Sequence, residues 1–338
     1  MAKRISAFGE VMMRLQVPGY ESLVQAHTLN FTFSGTGVNI VSALSKFGHK
    51  GYLVSTLPSN PVGEAALAYL RKLGISTDYI SRNGKYVGMY FLENGFGARP
   101  GRVTYTDRLA SSFNTAAADN YNFKEIAGNM DMAHFCGITL AMNDAVRSQM
   151  KAFASEMKAA GRTVVFDCNY RPSLWGDNGY TAARPHYEDM LRMADIVMMN
   201  EKDAILILGM ETEQTDRMAQ LQHLIPLVAQ QYGIRTIAGT HRVVNSDNTH
   251  SLLGYIYSEE QFEFSRLLTF SVYDRIGAGD AFASGIIHGE AQGLPAKHTV
   301  EFAARAAMLA HTVAGDTPTS TEAEILQTMT EIVLDVER

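Results

Sequence analysis

The feature that most constrains this chain is a repeated alternation of short apolar runs with longer amphipathic stretches. Runs that read as strands are RISAFGE (4–10), GYLVSTL (51–57), DMAHFCGI (131–138), TVVFD (163–167), DIVMMN (195–200) and IRTIAGT (234–240). They are bounded by turn-forming residues and enriched in Val, Ile and Phe, which suit a covered, pleated surface. Between them, GVNIVSALSKFG (37–48), PVGEAALAYLRKLG (61–74), NDAVRSQMKAFASEMKAAG (143–161) and a stretch starting near Gln220 carry helical spacing. One strand followed by one helix, repeated, predicts an α/β fold with a mostly parallel central sheet flanked by helices on both faces. The final third is expected to turn helical, over 278–293 and 299–315.

Two stretches break this rhythm. Residues 11–34 contain Pro18 and Gly19 and then the alternating run NFTFSG, and residues 85–111 are aromatic and β-branched around a Gly/Pro turn. Both predict hairpins with period-two alternation. Together they are expected to form a small β-sheet lid, 11–34 and 85–111, inserted into an α/β domain made of 1–10, 35–84 and 112–338.

Composition narrows the partners. The chain of 338 residues is 46% hydrophobic and carries a net charge of −6. That is enough apolar material for a substantial core, and an acidic balance that argues against nucleic acid or an anionic membrane surface. No apolar run approaches the length of a membrane span, and Glu10 breaks the apolar stretch behind Lys3 and Arg4 before it resembles a secretory signal. The two cysteines, Cys136 and Cys168, fall in or beside apolar runs and are expected to be reduced thiols of a cytoplasmic protein.

The segment richest in chemistry is YDRIGAGDAFASGIIHG, residues 273–289. Gly277, Ala278 and Gly279 let backbone N–H groups approach a ligand, and the helix start behind them adds partial positive charge. Such a turn is an anion hole suited to a transferring phosphoryl group. Asp280 sits at its mouth, placed to take a proton from an attacking hydroxyl while the helix dipole favours its ionised form. On spacing alone, an Asp at the start of a helix after a Gly-rich turn is equally a capping residue.

DRIGAGDAF resembles the C-terminal signature of the ribokinase/PfkB-type carbohydrate kinases. FGEVMMRL, FSGTGVNIVSALSKFG, STLPSNPVGEAAL, FDCNYRPSLW, MMNEKDA and HTVAGD follow in that family's order, and among its members the resemblance is greatest to those acting on 2-keto-3-deoxygluconate. The resemblance implies a ribokinase-like fold, ATP with Mg²⁺ bound alongside it, and Asp280 as catalytic base with Gly277, Ala278 and Gly279 around the phosphoryl group. It implies a sugar-acid site from Gly35, Asn39, Tyr90, Arg108, Arg171, Asp274 and Asp316, with Ser34 standing where the family has a first Gly. It also implies a nucleotide site from Asn169, Asn200, Thr240, Arg242, Gly277 and Gly279, with 239–248 as a loop around the adenosine and phosphates. Asp203 replaces the Glu of the family's Asn-x-x-Glu, and no protein-only metal site is expected. Exposed apolar residues on the lid strands predict a homodimer or larger assembly through the lid.

Rival classes fit less well. GTGVNI lacks the third Gly of a dinucleotide fingerprint and the acidic residue about 20 positions on. No P-loop sequence occurs, and the ten histidines show no H-x-x-x-H spacing. A non-catalytic sugar-acid sensor would have no need of Asp280 and the intact turn. Fructokinase-like and 5-keto-2-deoxygluconate-type kinases remain the competitors within the family.

Overall fold

A computed structural model of the chain describes residues 1–330. Its main sheet has ten strands. From Thr236–Val244 through Ile196–Met198, Thr163–Asp167, Met132–Cys136, Arg4–Phe8 and Lys50–Leu57 to Ile80–Arg82, every neighbouring pair is parallel. His250–Ser258, Gln261–Phe264 and Leu268–Phe270 extend the other edge in antiparallel pairing. The apolar strands are covered on both faces because successive side chains point oppositely. Val164 and Phe166 enter one core with the helices Asp144–Ala159, Gly179–Leu191 and Arg217–Tyr232, while Val165 enters the other with Ala278–Gln292 and Ala296–Ala310.

Local chemistry sets the helix starts. Asn60, Asn143 and Asp216 accept backbone N–H bonds from Gly63, Val146 and Ala219, satisfying donors that a helix start leaves free. Among the described residues no helix is long and apolar enough to cross a membrane. Cys136 and Cys168 are buried free thiols.

A second sheet of four strands is ordered Asn30–Ser34, Met12–Gln16, Gly88–Glu93, Arg102–Tyr105. All four lie within 11–34 and 85–111. The two segments join through a parallel pairing of Met12–Gln16 with Gly88–Glu93. The expected final α/β segment runs to 338, of which 331–338 lie outside the described residues.

Three expectations need correction. The segment 239–248 is not a loop: Thr236–Val244 is one strand paired along its length with His250–Ser258, and the reversal is confined to 245–249, where Asn248 takes a positive φ of 66°. The antiparallel strands after it interrupt the expected helical third. The helix expected over 299–315 runs Ala296–Ala310, starting behind Pro295 and ending before a loop that contains Gly315 at φ 99°.

Candidate active site

The candidate site lies at the carboxyl ends of the parallel strands, where open α/β sheets present ligand-binding crevices. Two helices start there. Thr36–Lys46 follows Gly35, whose φ of 148° and the Glu10 carbonyl against it leave no room for a side chain. Ala278–Gln292 follows Gly277, at φ 83°, and a side chain on Gly277 would collide with the Asp316 carbonyl. Gly279 faces open space, so the turn can be approached closely from one side.

The two first turns meet: the Asn39 amide donates to Asp280 Oδ2 at 2.7 Å, and Asn39 Oδ1 accepts from Thr317 at 3.1 Å. Burial pushes the Asp280 carboxyl up to about 8; the Asn39 bond opposes the rise, Asp167 and Asp316 add to it, and Arg171 opposes it. Burial thus opposes the ionisation that the helix start is expected to favour.

Arg171 and Asn169 follow the strand Thr163–Asp167. Asn169 holds a positive φ of 32°, and the exposed Arg171 side chain makes no hydrogen bond or ion pair among the described residues. Its charge bears on Asp167, Asp203 and Asp280. Asp203 folds back to accept the Asn200 N–H at 2.7 Å, capping the helix that starts at Glu201. Burial raises Asp167 to about 7 and Asp203 to about 6. Thr240 and Arg242 occupy alternate positions of one strand, hence one face of it.

The small sheet and the segment that follows it lean on this site through three buried ion pairs. Arg108 Nε lies 2.6 Å from Glu10 Oε2, leaving its Nη1 buried without a partner. Arg14, only 1% exposed, places Nη2 3.4 Å from Asp274 and Nη1 3.2 Å from Asp316. Tyr90 lies 3.4 Å from Asp316 and 3.0 Å from Ser34. Ser34 sits in ordinary strand conformation, so the exchange of the family's Gly for Ser brings no backbone strain.

Sequence reasoning brought Gly35, Asn39, Tyr90, Asp274, Gly277, Asp280 and Asp316 into one neighbourhood, but missed Arg14, Glu10, Asp167 and Thr317. Arg14 had a signal: it shares the buried face of its strand with Met12. Glu201 was missed as well. Fully buried, it accepts from Arg217 at 2.7 Å and pairs with His241 at 2.8 Å, fixing the strand that carries Thr240 and Arg242.

A helix start lined by Gly277 and Gly279, with a buried carboxylate beside it and a second sheet above, defines an α/β protein of the ribokinase-like class. The chain belongs to the pfkB family of carbohydrate kinases, whose model matches residues 2–323. It is 38% identical to a candidate 2-keto-3-deoxygluconate kinase from Enterococcus faecalis, with a TM-score of 0.95 over 100% of this chain and 99% of that one. It is 31% identical to the 2-dehydro-3-deoxygluconokinase of Thermotoga maritima, with a TM-score of 0.92 over 98% and 99%. A 2-dehydro-3-deoxygalactonokinase from Haloferax volcanii is 27% identical over 96% of both chains.

Proposed function

We propose that this kinase transfers the γ-phosphoryl group of ATP to the terminal hydroxyl of 2-keto-3-deoxygluconate, giving 2-keto-3-deoxy-6-phosphogluconate and ADP. The observation that carries this reading is the bond from Asn39 to Asp280, which sets a proton acceptor between two helix starts beside the Gly277–Gly279 turn. Asp280 takes the hydroxyl proton as the oxygen attacks, and the amides of 277–279 receive the charge on the transferring group. Asp280 must shed its own proton first, and bound cations with Arg171 favour that loss.

Gly35, Asn39, Tyr90, Asp274 and Asp316 line the sugar side. Arg171, unpaired, and Arg108, with one free nitrogen, supply donors for the substrate carboxylate. Asn169, Asn200, Thr240 and Arg242 serve the nucleotide with Gly277 and Gly279.

No group of three or more His, Cys, Asp or Glu suited to a metal occurs among the described residues. The half-buried carboxylates of Asp167 and Asp203 nonetheless fit Mg²⁺ held mainly by nucleotide phosphates, directly or through water. The ion would supply charge neutralisation on those phosphates.

The small sheet acts as a lid that excludes water from the phosphoryl group. On one face of the sheet Phe33 and Met13 pack into the core with Val38 and Leu70, while Leu15, Phe31, Met89 and Phe91 continue that face outward, with Phe31 59% exposed. We assign that stripe to a second copy of the chain. The buried free thiols support a reducing, cytoplasmic setting.

The test is ADP release with Mg·ATP across 2-keto-3-deoxygluconate, its galactonate epimer, 5-keto-2-deoxygluconate and fructose. Turnover should require a sugar acid with the keto group at position 2. Equal turnover on fructose would overturn the substrate assignment.

A further inference from the structure

Among the described residues the largest fully buried side chain is an arginine on the small sheet, and it reaches across to loops beside the main sheet. Arg14 Nη2 donates to Gln16 Oε1 at 2.7 Å within its own strand and to Asp274 Oδ2 at 3.4 Å. Its Nη1 lies 3.2 Å from Asp316 Oδ1.

These two carboxylates hold the walls of the anion turn. Asp274 Oδ1 accepts the Ile276 N–H at 3.1 Å and Oδ2 accepts the Gly315 N–H at 3.2 Å, tying the turn to the loop after Ala296–Ala310. The backbones meet as well. Tyr273 and Asp274 N–H groups both donate to the His311 carbonyl, and the Asp316 carbonyl fills the space beside Gly277. Arg14 therefore touches, from the small sheet, both acidic side chains of the loops that shape the phosphoryl site.

We propose that Arg14 is a positioning residue that couples the seating of the small sheet to the charge and shape of the anion turn. With the sheet seated, one guanidinium offsets two carboxylates, and the turn presents its N–H groups to a phosphoryl group against a weakened negative background. When the sheet lifts, Arg14 leaves with it. Asp274 and Asp316 are then uncompensated beside a site holding a phosphorylated sugar acid and ADP, both strongly anionic. Closure thus prepares the site for anions and opening drives them out. This inference rests on the kinase reading for its catalytic consequence, but its structural half stands separately.

The test compares Arg14→Met, which keeps length and removes charge, with Arg14→Lys, which keeps charge and removes the fork. Arg14→Met should raise KM for the sugar acid by about tenfold or more, a loss typical of a stranded buried charge. A second change, Asp274→Asn, should recover part of that loss, whereas Arg14→Lys should lose less from the start. A packing role alone would leave the loss indifferent to Asp274→Asn and as large in Arg14→Lys, and either result would overturn the proposal.

Hydrogen–deuterium exchange provides a readout that needs no substrate. Arg14→Met should speed exchange at 274–280 and 311–316 as well as in the sheet itself, and Arg14→Lys should not. Unchanged exchange at 274–280 in Arg14→Met would overturn the coupling; if that variant does not fold, Arg14→Gln is measured in its place with the same two outcomes. If the wild-type protein phosphorylates no sugar acid, the kinase substrate reading fails while the exchange result still decides the coupling.

Discussion

Asn39 and Asp280 lie 241 positions apart and share a 2.7 Å hydrogen bond, joining the first turns of two helices that belong to opposite ends of the chain. The donor is an amide and the acceptor the carboxylate assigned to remove the substrate proton. In the proposed mechanism a sugar-side residue therefore tunes the base directly.

Replacing Asp280 with Asn removes the proton acceptor while keeping shape. Turnover should fall by about 10²- to 10⁴-fold, the usual span for a lost general base. Nucleotide affinity, measured by calorimetry without sugar, should stay nearly constant; turnover within a few-fold of wild type would refute the assignment.

The pH dependence follows from the same pair. Asp280 sits at about 8 in the free site and acts only when deprotonated, so kcat/KM should rise with pH into that range. The Asn39 N–H stabilises the charged carboxylate and lowers its proton affinity. Asn39→Ala should therefore move the acidic limb to higher pH, and a shift to lower pH would contradict the geometry.

Stability should show the complementary trend. An unfolded Asp titrates at about 3.9, so from there to about 8 the folded state keeps a proton on Asp280 that the unfolded state has released. Stability is thus fully present below this window and falls as pH rises through it. Asp280→Asn should gain little at pH 4 and, at pH 8.5, on the order of 5 °C in Tm. A Tm difference constant with pH would argue against a buried, raised carboxyl.

Arg171 carries an unpaired planar fork. Arg171→Lys keeps the charge and loses bidentate geometry, so KM for the sugar acid should rise by about tenfold while KM for ATP changes less. Equal rises would move Arg171 to the nucleotide side.

The exposed stripe on the small sheet gives a prediction about assembly. Phe31→Asp should convert a dimer to a monomer, as read by light scattering at micromolar concentration. A wild-type protein that is already monomeric there would remove the basis for the second copy.

Much of this molecule was legible because its strands and helices follow their periods. TVVFD and DIVMM are apolar throughout since both faces are covered, and Gly35 and Gly277 marked backbone that no side chain can share. What the sequence concealed was mostly long-range. Arg14 reads as an ordinary charge on a hairpin until Asp274 and Asp316 close over it. The strand Thr236–Val244 ran past the Gly-Thr expected to end it because His250–Ser258 pairs with its whole length. The proton affinity of Asp280 depends on water removed by residues across the chain, which spacing alone does not express.

The small sheet is completed by pairing Met12–Gln16 with Gly88–Glu93, strands separated by two helices and two strands of the main sheet. Neither segment can finish its hydrogen-bond ladder until that intervening chain has wound into place, since closing so long a loop is entropically unfavourable before the contacts on either side exist. The small sheet is therefore expected to be among the last parts assembled during folding, and a chain with a disordered first third could not complete it.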